Sequence, residues 1–324
     1  MTPASSLDAF IARAFGRSSP LCVAQFGDLA AEILVDDTAR PQGFEHALIN
    51  TDAAPQARFA IVVGDDPVLR RFVPERVDEI HLMRTPDVYA YWRPAPDHGF
   101  FVFTRRDQRG VCWFPDSSAP AWAIGQPCVS LLPAAIEGSG WVLAHAAAVG
   151  KDGRFLLMLG PGGAGKSTAT LSCIRAGWDY AGDDYLLVNP QRGLVAPLYA
   201  SVRIRAGIAS AFQALVNEAF AVSDDNGAAR FELRIPKVPH GGRVVALLSL
   251  DRKGQKDVTI GPGRPQDFLG TLLRESTARA PGSAPAAASG LLAVGRMAET
   301  FRVDTGVDPA AIPDAFARLL ETFA

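Results

Sequence analysis

The run Gly160-Pro161-Gly162-Gly163-Ala164-Gly165-Lys166-Ser167-Thr168 puts a pliant backbone, an ammonium group and two hydroxyls side by side. It satisfies the pattern G-x-x-x-x-G-K-[ST] at Gly160, Gly165, Lys166 and Ser167. The apolar stretch Phe155–Leu159 precedes it, and a helix-compatible run from Ser167 to Ala176 follows. A strand that enters a glycine loop and leaves as a helix aims backbone N–H groups and the helix dipole at one point. That point suits a polyphosphate. Lys166 can reach β- and γ-phosphates, and the Ser167 hydroxyl can complete a magnesium shell. The other reading is a glycine turn that binds nothing, and the flanking strand and helix weigh against it. ATP and Mg2+ are therefore the expected cofactors, with residues 160 to 168 as the cradle.

Phosphoryl transfer also needs anionic oxygens for the metal and for the attacking group. Asp183 and Asp184 supply two adjacent carboxylates, one helix after the loop and at a strand boundary. Neighbours on a strand point to opposite sides, but a bend there directs both toward the phosphates. One would hold magnesium while the other takes a proton from the attacking hydroxyl. A solvated Asp-Asp turn is the alternative. Asp251, at the end of the apolar run Val244–Leu250, is a rival second acid, although Arg252-Lys253-Gly254 after it reads as an ordinary charged turn.

His145 lies in a small-residue segment ahead of the loop strand; it is either a core histidine or a neighbour of the nucleotide. Arg203 and Arg205 alternate with Val202 and Ile204, so both share one face of a strand. They either face solvent or offset charge on a transferring phosphoryl group. Lys237 and His240-Gly241-Gly242-Arg243 form a basic loop that could contact ATP or an acceptor.

These residues need a scaffold, and the composition allows one. The chain has 324 residues, 48% hydrophobic and 20% charged, with a formal net charge of −2. That is ample for one large domain or two ordinary ones and offers no basic field for nucleic acid. No window approaches the roughly 18 apolar residues of a membrane span. Residues 1 to 17 lack the basic start and apolar centre of a signal peptide, and a cytoplasmic location is expected. Cys22, Cys112, Cys128 and Cys173 are scattered, which suggests buried reduced thiols.

Residues 1 to 130 read as a mostly β (α+β) accessory domain for substrate recognition. It has a short helix at Asp8–Phe15 and strands at Phe59–Val63, Val88–Trp92 and Phe100–Thr104. A charged hairpin turn at Arg105–Gly110 leads into Val111–Phe114. Residues 131 to 324 read as an α/β nucleotide-binding domain. A helix-like segment at Pro133–Trp141 leads into Val142–Val149, and Asp152-Gly153 signals a hairpin into the loop strand. The loop strand thus has an antiparallel partner and the sheet is mixed. Gly177 caps the first helix, Tyr185–Val188 and Val244–Leu250 are strands, and Asn189–Gly193 is a turn. Pro281–Ser289 reads as an exposed low-complexity connection, and the tail from Pro309 closes as a helix with Ile312, Phe316, Leu319 and Phe323 inward.

With His145 to Val149 (HAAAV), the hairpin, GPGGAGKST, Arg175-Ala176-Gly177-Trp178 and Gly182-Asp183-Asp184, the chain resembles the HPr kinase/phosphorylase group. More closely it resembles HPr-kinase-related kinases found beside peptide-modification genes. The resemblance covers Leu143 to Arg205 well and the rest of the C-terminal part loosely. It implies a P-loop core of the HPr kinase/phosphoenolpyruvate carboxykinase type that uses Mg-ATP to phosphorylate a serine of a peptide or small protein. It implies nucleotide and magnesium roles for Lys166 and Ser167, base and metal roles shared by Asp183 and Asp184, and a site role for His145. Homo-oligomerisation is left open, and no counterpart of the acceptor-binding loop is found. Two alternatives stand beside it: a kinase of the same core acting on free serine or a sugar, and a nucleotide-dependent peptide-binding module without transfer.

Overall fold

Both faces of the strand that feeds the glycine loop are apolar, and both are covered. In the computed structural model, which describes residues 3–37, 44–71, 81–93, 99–116, 121–205, 212, 219–223, 229–235, 239–279 and 285–323, the chain is mixed α/β with mixed sheets. It divides into two compact units: one built almost entirely from residues up to Ile136, the other holding Glu137–Val222, Ala229–Arg279 and Ser283–Ala324.

The first unit is a seven-stranded sheet with helix α1 (Pro3–Gly16) on one face. Its strands are β1 (Ser18–Phe26), β2 (Leu29–Asp36), β3 (Ala57–Val63), β4 (His81–Arg84), β5 (Val88–Arg93), β6 (Gly99–Thr104) and β7 (Arg109–Phe114), in the order β1-β2-β3-β7-β6-β5-β4. β3 runs parallel to β2 and β7, and the other pairs are antiparallel. α1 buries Phe10, Ile11 and Ala14 against Trp92, Val102 and Trp113. Phe10 meets the Phe100 ring edge-on at 5.2 Å. The charged hairpin turn is present, with Thr104 opposite Arg109. β1 escapes a reading from sequence because Pro20 and the bulge between Pro20 and Cys22 break its alternation. All four cysteines are free thiols, and burial pushes the Cys22 thiol up to about 11.

The second unit centres on β8 (Val142–Ala144), β9 (Ala147–Lys151), β10 (Arg154–Leu159), β11 (Asp179–Gly182), β12 (Leu186–Asn189), β13 (Leu194–Ala196), β17 (Gly242–Asp251), β18 (Thr259–Pro262) and β19 (Glu299–Asp304). A separate three-stranded sheet has β14 (Ser201–Arg205), β16 (Ala229–Arg234) and β15 (Ala219–Ser223) in that order. Along β10, Leu156 and Met158 face α2 (Lys166–Arg175) and α5 (Ile312–Glu321). Phe155, Leu157 and Leu159 face α3 (Pro265–Arg279) and α4 (Pro285–Val294). A strand covered on both faces reads as the continuous apolar run seen in the sequence.

β9 and β10 pair antiparallel through the Asp152-Gly153 turn, where φ is +52° and +73°. Two consecutive positive φ angles define the tight primed turn that Asp-Gly favours. β10, β17 and β19 are mutually parallel neighbours. α2 ends where Trp178 N–H donates to the Cys173 carbonyl and Gly177 N–H to that of Ile174.

Three expectations need correction. Val142–Val149 is not one continuous segment but two strands broken at His145-Ala146. The helix-like stretch from Pro133 shrinks to one turn at Leu132–Ala135, because Gly138 and Gly140 adopt positive φ. The connection from Pro281 is helical from Pro285, where Leu291 and Val294 reach the core; residues 281–284 lie outside the described residues.

Candidate functional site

Strand direction gathers the candidate residues. β10 ends at the glycine loop, while its antiparallel neighbour β9 begins there, which brings His145 to the same edge. β11, antiparallel to β9, ends there with Gly182 opposite Ala148 and delivers Asp183 and Asp184. The parallel strands β17 and β19 end there with Asp251 opposite Asp304. Side chains far apart in the chain share one edge because that edge is where these strands start or stop.

The loop keeps its backbone close to its neighbours. A side chain at Gly160 would meet the Leu250 carbonyl at 2.8 Å, and one at Gly165 the Thr305 hydroxyl at 3.3 Å. Gly163 and Gly165 have φ of +88° and +98°, which only glycine adopts readily. Gly162 and Gly163 border open space, and α2 starts without a side-chain cap. Its first N–H groups are thus available to an anion. Lys166 is buried, and its Nζ donates to the Gly160 carbonyl at 2.7 Å, spanning the loop.

Asp183 is buried close to Ser167 and Lys166, and neither carboxylate oxygen makes a well-formed hydrogen bond. Burial, and then the Asp184 carboxylate, push its pKa up to about 8, against the pull of the Ser167 hydroxyl and the Lys166 ammonium. Asp184 has φ +66° and a half-buried side chain, so the chain bends between the two acids. That bend brings Asp184 Oδ1 to 3.8 Å from His145 Nε2.

His145 is buried between two acids. Its Nδ1 lies 4.0 Å from Glu275 Oε2, its backbone N–H donates to the Ser276 hydroxyl at 3.0 Å, and its ring meets Tyr185 edge-on at 5.3 Å. Gly182 pairs with Ala148 and Leu186 with Ala144, so the segments between these pairs bring His145 and Tyr185 together.

The two arginines separate. Arg203 is largely buried and clamps Glu232 on the neighbouring strand, with Nε and Nη2 each 2.7 Å from Oε1. Burial raises the Glu232 pKa, Arg203 opposes the rise, and Asp184 adds to it, so this pair borders the acidic pair. Arg205 is exposed opposite Arg230. Asp251 is half exposed and faces Arg302 at 3.9 Å and Lys253 at 4.0 Å, the arrangement of a charged turn. His240 faces Asp179 at 3.3 Å, and Lys237 lies outside the described residues.

Glu232, Glu275, Asp304 and Thr305 carry no sequence motif. Asp304 is buried at the end of β19, with Oδ1 accepting from Gly306 N–H and Oδ2 without a hydrogen bond. Only Glu232 left a signal, as a lone acid between Phe231 and Leu233 in a strand. Among the described residues no three His, Cys, Asp or Glu side chains form a ready metal cage. Magnesium seldom needs one, since phosphates and water supply most of its ligands. Also among the described residues, no helix is long and apolar enough to cross a membrane. No protein-family model matches the chain, and no curated protein matches it.

Proposed function

We propose that the protein is an ATP- and magnesium-dependent kinase with a P-loop core, transferring the γ-phosphoryl group to a serine hydroxyl of a peptide or small protein. The observation that carries this reading is the buried, unsatisfied Asp183 beside Ser167 and Lys166, at the mouth of an uncapped helix. A buried carboxylate without hydrogen bonds is costly unless a ligand completes it.

In this reading the Gly162–Thr168 backbone and Lys166 bind the phosphates, and Ser167 with one aspartate holds magnesium. The metal supplies charge neutralisation on the phosphates when bound. The remaining aspartate accepts the serine proton. The serine oxygen forms its bond to the γ-phosphorus as the bond to the bridging oxygen breaks, and ADP leaves. His145 orients Asp184, and Arg203 offsets the charge of Glu232 beside the acidic pair. Positioning and charge stabilisation supply most of the rate.

The test uses γ-labelled ATP with magnesium and a cell extract of the source organism, comparing wild type with Asp183→Asn/Asp184→Asn. Label on a peptide or small protein that vanishes with the variant is the expected result and identifies the acceptor. Label confined to a small metabolite moves the acceptor to a small molecule. ATP binding with no transfer above the variant's level ends the kinase reading.

A further inference from the structure

At the edge of the second unit's sheet away from the glycine loop lies a cleft with a volume of about 750 Å³. Three arginines from separate segments line it: Arg154 at the start of β10, Arg192 in the β12–β13 turn, and Arg243 near the start of β17. Val245, Met297 and Phe323 supply apolar wall, and among the described residues no aspartate or glutamate lines it. Arg154 and Arg243 are register partners in the parallel β10–β17 pair, so the fold sets two like charges at paired positions. Such a pairing is unfavourable unless something offsets it. Arg154 is steadied where Nη1 donates to the Leu320 carbonyl at 3.3 Å.

The cleft is of the size that takes small molecules. Guanidinium forks match the paired oxygens of phosphates and carboxylates, and the apolar wall suits a hydrocarbon body. We propose that this cleft binds a small organic anion, with a phosphate or carboxylate head on the arginines and an apolar body against Met297 and Phe323. The six residues of β10 place it roughly 20 Å from the glycine loop. The inference stands without the kinase reading.

Calorimetric titration of the full chain at low salt, with phenyl phosphate, benzoate and inorganic phosphate as probes, tests it. The Lys166→Ala variant removes competition from the loop. Saturable phenyl phosphate or benzoate binding should persist within twofold in Lys166→Ala. It should weaken at least tenfold in Arg243→Met and in Arg192→Met, two exposed positions whose unchanged melting temperature shows an intact fold. The tighter of the two aromatic probes identifies the preferred head. Binding lost in Lys166→Ala but kept in Arg243→Met and Arg192→Met would place the anion at the loop and overturn the proposal. So would the absence of saturable binding at millimolar concentrations, or inorganic phosphate binding as tightly as either aromatic probe.

Discussion

Asp66 in the first unit and Asp183 in the second are both nearly sealed from water, at 3% and 4% exposure. Asp66 accepts from the Val68 N–H at 2.8 Å and faces Arg13 at 3.0 Å and Arg17 at 3.1 Å. Burial pushes its pKa up, but the Val68 N–H, Arg13 and the Leu69 N–H outweigh that and hold it below the ordinary value. Arg17 also reaches the buried Asp36 at 2.7 Å. Asp183 is as little exposed but lies deeper, beside another carboxylate, and has none of those well-formed bonds; its pKa moves the other way. The difference separates two uses of a buried carboxylate. One is completed by its own chain and ties α1 to the helical turn at Pro67–Arg70; the other lacks such bonds, and the proposed function assigns it to magnesium or to the serine proton.

Three measurements sharpen or break that contrast. The largest effect is expected for Asp183→Asn, which should lower kcat of the proposed kinase about 10³-fold, or ~4 kcal/mol of barrier. A loss of less than tenfold would remove Asp183 from the reaction. Next, Arg17→Met takes the guanidinium from the buried Asp36, which keeps the Val63 N–H, and removes one of the two arginines on Asp66; it should destabilise the protein by about 2 kcal/mol in urea unfolding. An unchanged midpoint would show the first unit's ion pairs to be surface-like in energy.

The smallest effect is one of pH. In the metal-free protein, folded Asp183 keeps its proton to about pH 8, whereas the unfolded chain releases it in the ordinary carboxylate range. Its contribution to stability is therefore present at low pH and lost as pH rises through 8. Asp183→Asn removes that dependence. The variant's gain in melting temperature over wild type should be greater at pH 9 than at pH 5 by roughly 5 °C. Equal gains at both values would show that Asp183 ionises normally.

Local structure was legible in the amino-acid order. Phe155–Leu159 announced a strand buried on both faces, Asp152-Gly153 a primed turn, and Gly160–Thr168 a loop in which Gly163 and Gly165 take positive φ. Each depends on steric rules that act over a few residues. A bend at Asp183-Asp184 was one of two open readings, since adjacent residues on a straight strand point to opposite sides, and the positive φ of Asp184 supplies it. What no local rule reports is which strand ends meet. Glu275 and Ser276 reach His145 from a helix more than a hundred residues away, Glu232 takes Arg203 from the solvent it was free to face, and Asp304 arrives beside the loop through parallel pairing. The break at His145-Ala146 belongs here too: Val142–Val149 is apolar apart from His145, with no turn residue in it, and its two sets of partners, β12 and then β10 with β11, divide it. Burial and the charges around Asp183 follow from that assembly, since a carboxylate's pKa is set by neighbours in space and not in sequence.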